Sequence, residues 1–235
     1  MNLSLNGANF LLVGTDGGLI EKPIPQETLL LSPASRVEVL IQSDKKGEFE
    51  LQNLYYDRGK MLVEEKSSSL ALASIKIEKT LKSIPHQLKT FQPLVQAKER
   101  KTIVMSEAHM MMDVQNQEIL KENLVAMFLI NNKVFDIKRI DFKSKQDEPE
   151  IWSITNRSHM DHPFHIHGTQ FELISSEFEG RVEKAPFRTL KDTINVRPRE
   201  TVKIQLIQSI KGVRMFHCHI LEHESLGMMG TVEVV

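Results

Sequence analysis

The sequence predicts an all-β chain, on three observations. Short apolar or alternating runs recur along its length, polar turns separate them, and no long amphipathic helix interrupts the series. Many short strands punctuated in this way build a β-sandwich or a barrel. Neither a βαβ alternation nor a phosphate-binding glycine loop occurs.

The elements follow in order. The chain enters a strand pattern almost at once, because MNLSLNGANFLLVG has neither the basic start nor the cleavage site of a signal peptide. That beginning suits a fragment of something longer. Residues 10–13 are apolar, and GTDGG at 14–18 reads as a turn. A short run at 29–31 is closed by Pro33. RVEVLI at 36–41 alternates, and 48–51 resumes the pattern after a charged turn containing Gly47. SLALASIKIEK at 69–79 carries the alternating pair Ile75 and Ile77. Residues 82–101 change character, with Pro85, Pro93 and frequent lysines, and read as the entry to a second domain. EILKENLVAM at 118–127 has the spacing of a short helix. Strands are then expected at 125–130, 134–142, 150–155, 164–175, 193–196, 201–207, 213–219 and 230–234. The division is a first domain at 1–88, a linker at 89–101 and a second domain at 102–235.

Composition removes several function classes. The 235 residues suffice for one large or two ordinary domains. A formal charge of -1, with lysines and glutamates scattered, provides no basic stripe for nucleic acid. No apolar run is long enough to span a membrane. The single cysteine, Cys218, excludes an internal disulfide; taken alone, it is a buried packing residue.

Its neighbours reverse that reading. HCHILEHESLGMM at 217–229 and HPFHIHG at 162–168 together hold six of the nine histidines. Alternation along a strand turns His217 and His219 to one face and Cys218 to the other. Three adjacent donors then serve metals on two sides of one strand, joined by a few covalent bonds. His165 and His167 repeat this spacing and share a face. Pro163 is expected to hold His162 off the regular alternation, freeing it for a different metal. Cys218, His223 and Met228, joined by His162, make a His₂Cys set with a weak thioether, the donor recipe of blue copper. Gly227 lets the loop turn back so that Met228 reaches the metal. Each histidine alone is more often a hydrogen-bonded residue than a ligand. Zinc also takes His and Cys, but leaves Met228 and the opposed faces without a role. His86 and His159 read as surface residues. His109, beside Met110–Met112, reads as flexible apolar packing, with contact to cuprous copper as the alternative.

HPFHIHG and HCHILEHESLGMM resemble the C-terminal half of bacterial multicopper oxidases of the laccase and cuprous-oxidase group. GTDGGLIEKP at 14–23 and LSPASRVEVLI at 31–41 resemble the middle domain of that family, so the resemblance covers nearly the whole chain. It implies cupredoxin-like Greek-key β-sandwiches, the first one truncated. It implies type 1 copper ligands at His162, Cys218, His223 and Met228, a type 2 ligand at His165, and type 3 ligands at His167, His217 and His219. Glu224 matches an acidic residue that relays protons to oxygen, against the plainer reading of a solvated loop carboxylate. Asp192, in KDTINV, matches a position near the substrate side.

The implied activity is one-electron oxidation of phenols, amines or cuprous ion, coupled to reduction of O₂ to water. Copper is the cofactor, with a small reducing substrate and O₂ as partners. The resembled trinuclear cluster takes four HxH-type pairs, of which this sequence supplies two, His165/His167 and His217/His219. The type 1 site is therefore expected complete and the trinuclear site half supplied. A missing N-terminal cupredoxin domain or partner chain would complete it. Exposed sheet edges would favour a homo-oligomer. Two other readings stay open: an electron-transfer fragment with a type 1 site only, and a copper-free structural relative. The resemblance also implies an extracytoplasmic location.

Overall fold

The computed structural model of the chain describes residues 1–59, 68–79, 83–108 and 128–235. The strands of the N-terminal part are β1 (Asn2–Leu5), β2 (Asn9–Thr15), β3 (Gly18–Gln26), β4 (Thr28–Leu30), β5 (Val37–Gln42), β6 (Gly47–Leu54) and β7 (Leu70–Ile77). They form two sheets, in the orders β4-β1-β6-β7 and β3-β2-β5. Leu5, Phe10, Leu29 and Phe49 are buried between them, with Val39 and Ile41 of β5 packed alongside. Two sheets closing on a shared apolar layer make a small sandwich.

The remaining strands are β8 (Lys98–Glu107), β9 (Phe128–Ile130), β10 (Phe142–Ser144), β11 (Pro149–Asn156), β12 (His162–Ile166), β13 (Phe171–Phe178), β14 (Arg181–Lys184), β15 (Thr193–Val196), β16 (Thr201–Ile207), β17 (Gly212–Cys218) and β18 (Met229–Val234). One helical turn, α1 (Leu221–Ser225), interrupts them between β17 and β18. Six strands pair in the order β14-β13-β16-β11-β8-β9, and five in the order β10-β18-β17-β12-β15. Trp152, Ile154, Phe171 and Ile204 of the first sheet meet Phe164, Val196, Phe216 and Val232 of the second in one buried cluster. Cys218 and Met228 belong to that cluster as well.

The all-β expectation holds, and several local expectations do not. Residues 134–141 carry turns instead of a strand, and pairing resumes only at Phe142. Apolar residues there are spent on covering the loop after α1, where Phe135 N–H donates to Gly227 O at 3.1 Å. The run at 164–175 is two strands, broken at residues 167–170, where Gly168 takes φ 66°. The GTDGG turn is narrower than expected, because Gly14 and Thr15 belong to β2 and Gly18 to β3. Residues 98–101 of the expected linker lie in β8, which pairs in parallel with β11. The expected helix at 118–127, residues 125–127 of the expected strand, and His109 with Met110–Met112 lie outside the described residues.

The two sandwiches touch beside the histidines. Gly17 N–H donates to Leu190 O at 2.8 Å, and Thr15 Oγ1 donates to the same carbonyl at 2.9 Å. A Cβ on Gly17 would lie 2.3 Å from Leu190 Cβ, so this approach admits only glycine. Tyr56 OH donates to Asp161 Oδ2 at 2.8 Å, beside His162.

Candidate metal centres

Antiparallel pairing of β12 with β17 sets Phe164 opposite Cys218 and His165 opposite His217. Side chains opposite one another share a face. Cys218 therefore enters the core side with Phe164, while His217 joins His165 on the other side. The separation expected for the HCH segment is present. The expectation for Pro163 is corrected: His162 starts β12 in regular alternation, on the face of Phe164 and Ile166. Period two alone separates it from His165 and His167.

The first donor set is deeply buried. Cys218 Sγ lies 3.4 Å from His162 Nδ1 and 3.5 Å from His223 Nδ1, and the two Nδ1 atoms are 3.1 Å apart. Cys218 and His162 are wholly inaccessible. Burial pushes the Cys218 thiol up to about 12, so the thiolate needs a cation beside it. The donor separations allow one ion to reach all three atoms at bond lengths of about 2.0–2.3 Å.

Hydrogen bonds prepare His162 for that role. Ser158 Oγ donates toward Asn156 Oδ1 at 2.7 Å and Met160 O at 3.0 Å, neither of which can donate back. Asn156 Nδ2 donates to Met160 O at 2.8 Å and to Val196 O at 2.9 Å, which fixes the direction of Oδ1. Ser158 Oγ, 2.6 Å from His162 Nε2, then accepts that N–H and leaves the Nδ1 lone pair facing Cys218. Phe128 stacks on the His223 ring at a centroid distance of 3.9 Å.

The loop after Cys218 closes the set. His223 sits in α1, and Met228 N–H donates to His223 O at 2.9 Å. Cys218 N–H donates to Met228 O at 3.1 Å. Gly227 holds φ 107°, so the backbone reverses there and brings a fully buried Met228 next to Cys218, as its residue type predicts.

The second set lies on the opposite face. His165, His167 and His217 offer ligand atoms within 4.8 Å of one another. His219 joins them, its ring 5.3 Å from those of both His165 and His217. His217 Nδ1 faces its acceptor Cys218 O at 3.0 Å, which leaves Nε2 with the lone pair, 2.9 Å from His167 Nε2. Two imidazole nitrogens at that distance need a proton or a cation between them. Burial pushes His165 down to about 4 and lowers His217 as well, which favours the neutral, ligating form of each.

The two carboxylates fall in different places. Glu224 Oε2 is 3.3 Å from His217 Nδ1 and the side chain is 30% exposed, so it connects this face to solvent. Asp192 belongs to the histidine face rather than to the Cys218 set. It lies beside His165, whose Nδ1 is 3.0 Å from Asp192 O and 2.9 Å from Thr193 Oγ1. Burial works against ionisation of Asp192, but hydrogen bonds from Arg36 and Thr193, helped by the Arg36 charge, hold its carboxyl below the usual range.

His86 is exposed, as expected. His159 is not a free surface residue: its Nδ1 is 2.6 Å from Glu107 Oε2, and Glu107 Oε1 is 3.7 Å from His162 Nε2. Ser158, Asn156 and Phe128 lie in no motif that marks them in the sequence, and Arg36 and Thr193 lie in LSPASRVEVLI and KDTINV without any local signal of their partners. Their roles follow from register and from contacts between sandwiches.

A family model described as multicopper oxidase matches residues 96–235. The multicopper oxidase mco of Staphylococcus aureus is 33% identical over all of this chain and 45% of its own length. A solved multicopper oxidase from Campylobacter jejuni, described as a metallo-oxidase, is 57% identical with a TM-score of 0.96, over 100% of this chain and 50% of that one. A laccase structure from Pediococcus acidilactici is 30% identical with a TM-score of 0.76, over 100% of this chain and 47% of that one. The chain thus spans about half the length of the relatives it matches. The sandwiches are of the cupredoxin-like kind found in such structures.

Proposed function

The chain belongs to the multicopper oxidase family, and on that premise we propose that it supplies one complete electron-accepting copper site and half of an oxygen-reducing copper cluster. The carrying observation is the opposition across β17: Cys218 with His162 and His223 on one face, His165, His167 and His217 on the other. In this reading Met228 completes the first set and His219 the second. Bound copper supplies one-electron redox chemistry at the first set and reduction of O₂ to water at the second.

The chain's own residues then divide the work. Cys218 collects the electron, and the backbone to His217 and His219 is the shortest covalent route to the other face. Ser158 and Asn156 fix which nitrogen His162 presents. Glu224, partly exposed to solvent, passes protons toward the histidine face. Asp192 orients His165. The reducing substrate is a phenol, an amine or a cuprous ion, with O₂ as co-substrate. The remaining histidines come from an N-terminal cupredoxin domain or a partner chain, and the location is extracytoplasmic. No helix among the described residues is long and apolar enough to cross a membrane. Retention of all eight C-terminal ligand positions of the family argues against a copper-free relative.

The test loads the full-length protein with copper and measures visible absorption and O₂ uptake. An intense blue thiolate-to-copper band and uptake driven by a phenol or cuprous salt are expected. Oxygen uptake by residues 1–235 alone would overturn the half-cluster reading. A loaded protein without the blue band would overturn the assignment of Cys218.

A further inference from the structure

Arg36 stands outside both donor sets and on the other sandwich, yet it is bonded into the surroundings of His165. Its Nη1 donates to Asp192 Oδ1 and its Nη2 to Asp192 Oδ2, both at 2.7 Å. Nη1 also donates to Ala34 O at 2.9 Å, and Nη2 to Asp16 O at 3.2 Å. Asp16, whose side chain is fully buried, accepts Arg36 N–H at 2.7 Å and Asp192 N–H at 3.3 Å. The turn GTDGG and the run LSPASRVEVLI therefore converge on the dipeptide Asp192-Thr193.

The bonds have only one consistent direction. A guanidinium can only donate, and an ionised carboxylate can only accept. Thr193 Oγ1, 2.9 Å from Asp192 Oδ1, must spend its single hydrogen on that carboxylate. Its oxygen is then an acceptor for His165 Nδ1–H at 2.9 Å, beside Asp192 O at 3.0 Å. His165 Nε2 is left with the lone pair.

We propose that Arg36 is a positioning residue for His165: clamped on Asp192 from the N-terminal sandwich, it sets the direction of the Asp192–Thr193–His165 hydrogen-bond chain so that Nε2 is presented to the other histidines. Without it, the Asp192 carboxylate, with Oδ1 3.5 Å from Nδ1, is free to turn on the ring, and the Thr193 hydroxyl is free to reverse. The consequence for metal binding rests on the reading of the four histidines as a copper cluster. The hydrogen-bond claim does not.

Three variants of the full-length protein test it: Arg36→Met, which keeps the stem and removes the donors; Arg36→Lys, which keeps the charge; and Thr193→Val, which removes the hydroxyl. Nitrogen-15 spectra of the metal-free proteins read the His165 tautomer. Chelator competition with EPR reads copper on the histidine cluster, with the blue absorption as internal control. The wild type should show a single Nδ1–H form. Arg36→Met and Thr193→Val should mix the two forms and weaken cluster copper about ten-fold, the loss typical of an outer-shell partner, while the blue site is kept. Arg36→Lys should recover most of that loss. A wild-type tautomer together with wild-type cluster affinity in Arg36→Met overturns the proposal. Equal loss of the blue site also overturns it, since the effect is then general. If the wild-type cluster takes no copper while the tautomer shifts in Arg36→Met, the copper reading falls and the positioning role stands.

Discussion

Replacing Gly227 by alanine tests the link between backbone conformation and the Met228 loop. Gly227 has φ 107°, and a Cβ built there lies 2.6 Å from Val134 Cγ1. A left-handed conformation costs an L-residue about 1–2 kcal/mol. Overpacking against Val134 adds about 1–3 kcal/mol. The expected loss is therefore about 2–5 kcal/mol, from two separable causes. Urea denaturation of the metal-free protein measures the sum. A cycle with Val134→Ala divides it, because the shorter side chain relieves the overlap and leaves the backbone strain. The same shift should perturb the blue absorption, since Met228 O accepts the Cys218 N–H at 3.1 Å. A loss below about 0.5 kcal/mol with an unchanged spectrum would refute the reasoning, because neither cause could then be present.

Other consequences are as direct. Ser158→Ala removes the acceptor on His162 Nε2 and should weaken copper at the Cys218 set about ten-fold in a chelator titration; unchanged affinity would show that the tautomer is fixed elsewhere. Lys101 is buried and donates to Glu150 Oε1 at 2.9 Å, so Lys101→Met strands a buried carboxylate and should cost about 3–5 kcal/mol in denaturation, with copper spectra unaffected. Burial holds His165 at about 4, below its ordinary 6.5. The unfolded chain therefore takes the proton first as pH falls. The associated stability of the metal-free protein is fully present above pH 6.5 and is lost on descent to about pH 4. A denaturation profile that is flat across this window, or equally steep in His165→Asn, would contradict that origin.

The sequence carried the donor sets because strand alternation is a local property. HCH and HIH divide their side chains by period two wherever the strand is placed, and the structure adds only which neighbours meet. Gly227 was legible for the same reason, since one residue type signals one backbone conformation. The turns at 134–141 were not, because an apolar residue reads alike whether it fills a strand face or covers a loop. Nor was α1: five residues supply too little periodicity to show a helix, and its N-cap Ile220 makes no side-chain cap bond. Arg36 and Asp192 are 156 positions apart, and only the docking of two sandwiches makes them partners. Asp192 was recognisable as a motif position, but the side of the site it serves depends on that docking.

The most direct measurement is EPR and metal content of the copper-loaded full-length protein with Cys218 replaced by serine. If β17 separates two sites, the blue signal vanishes while copper on the histidine face remains. A blue signal that survives the substitution, or simultaneous loss of both copper classes from a folded protein, would contradict the division of this strand into two faces with two tasks.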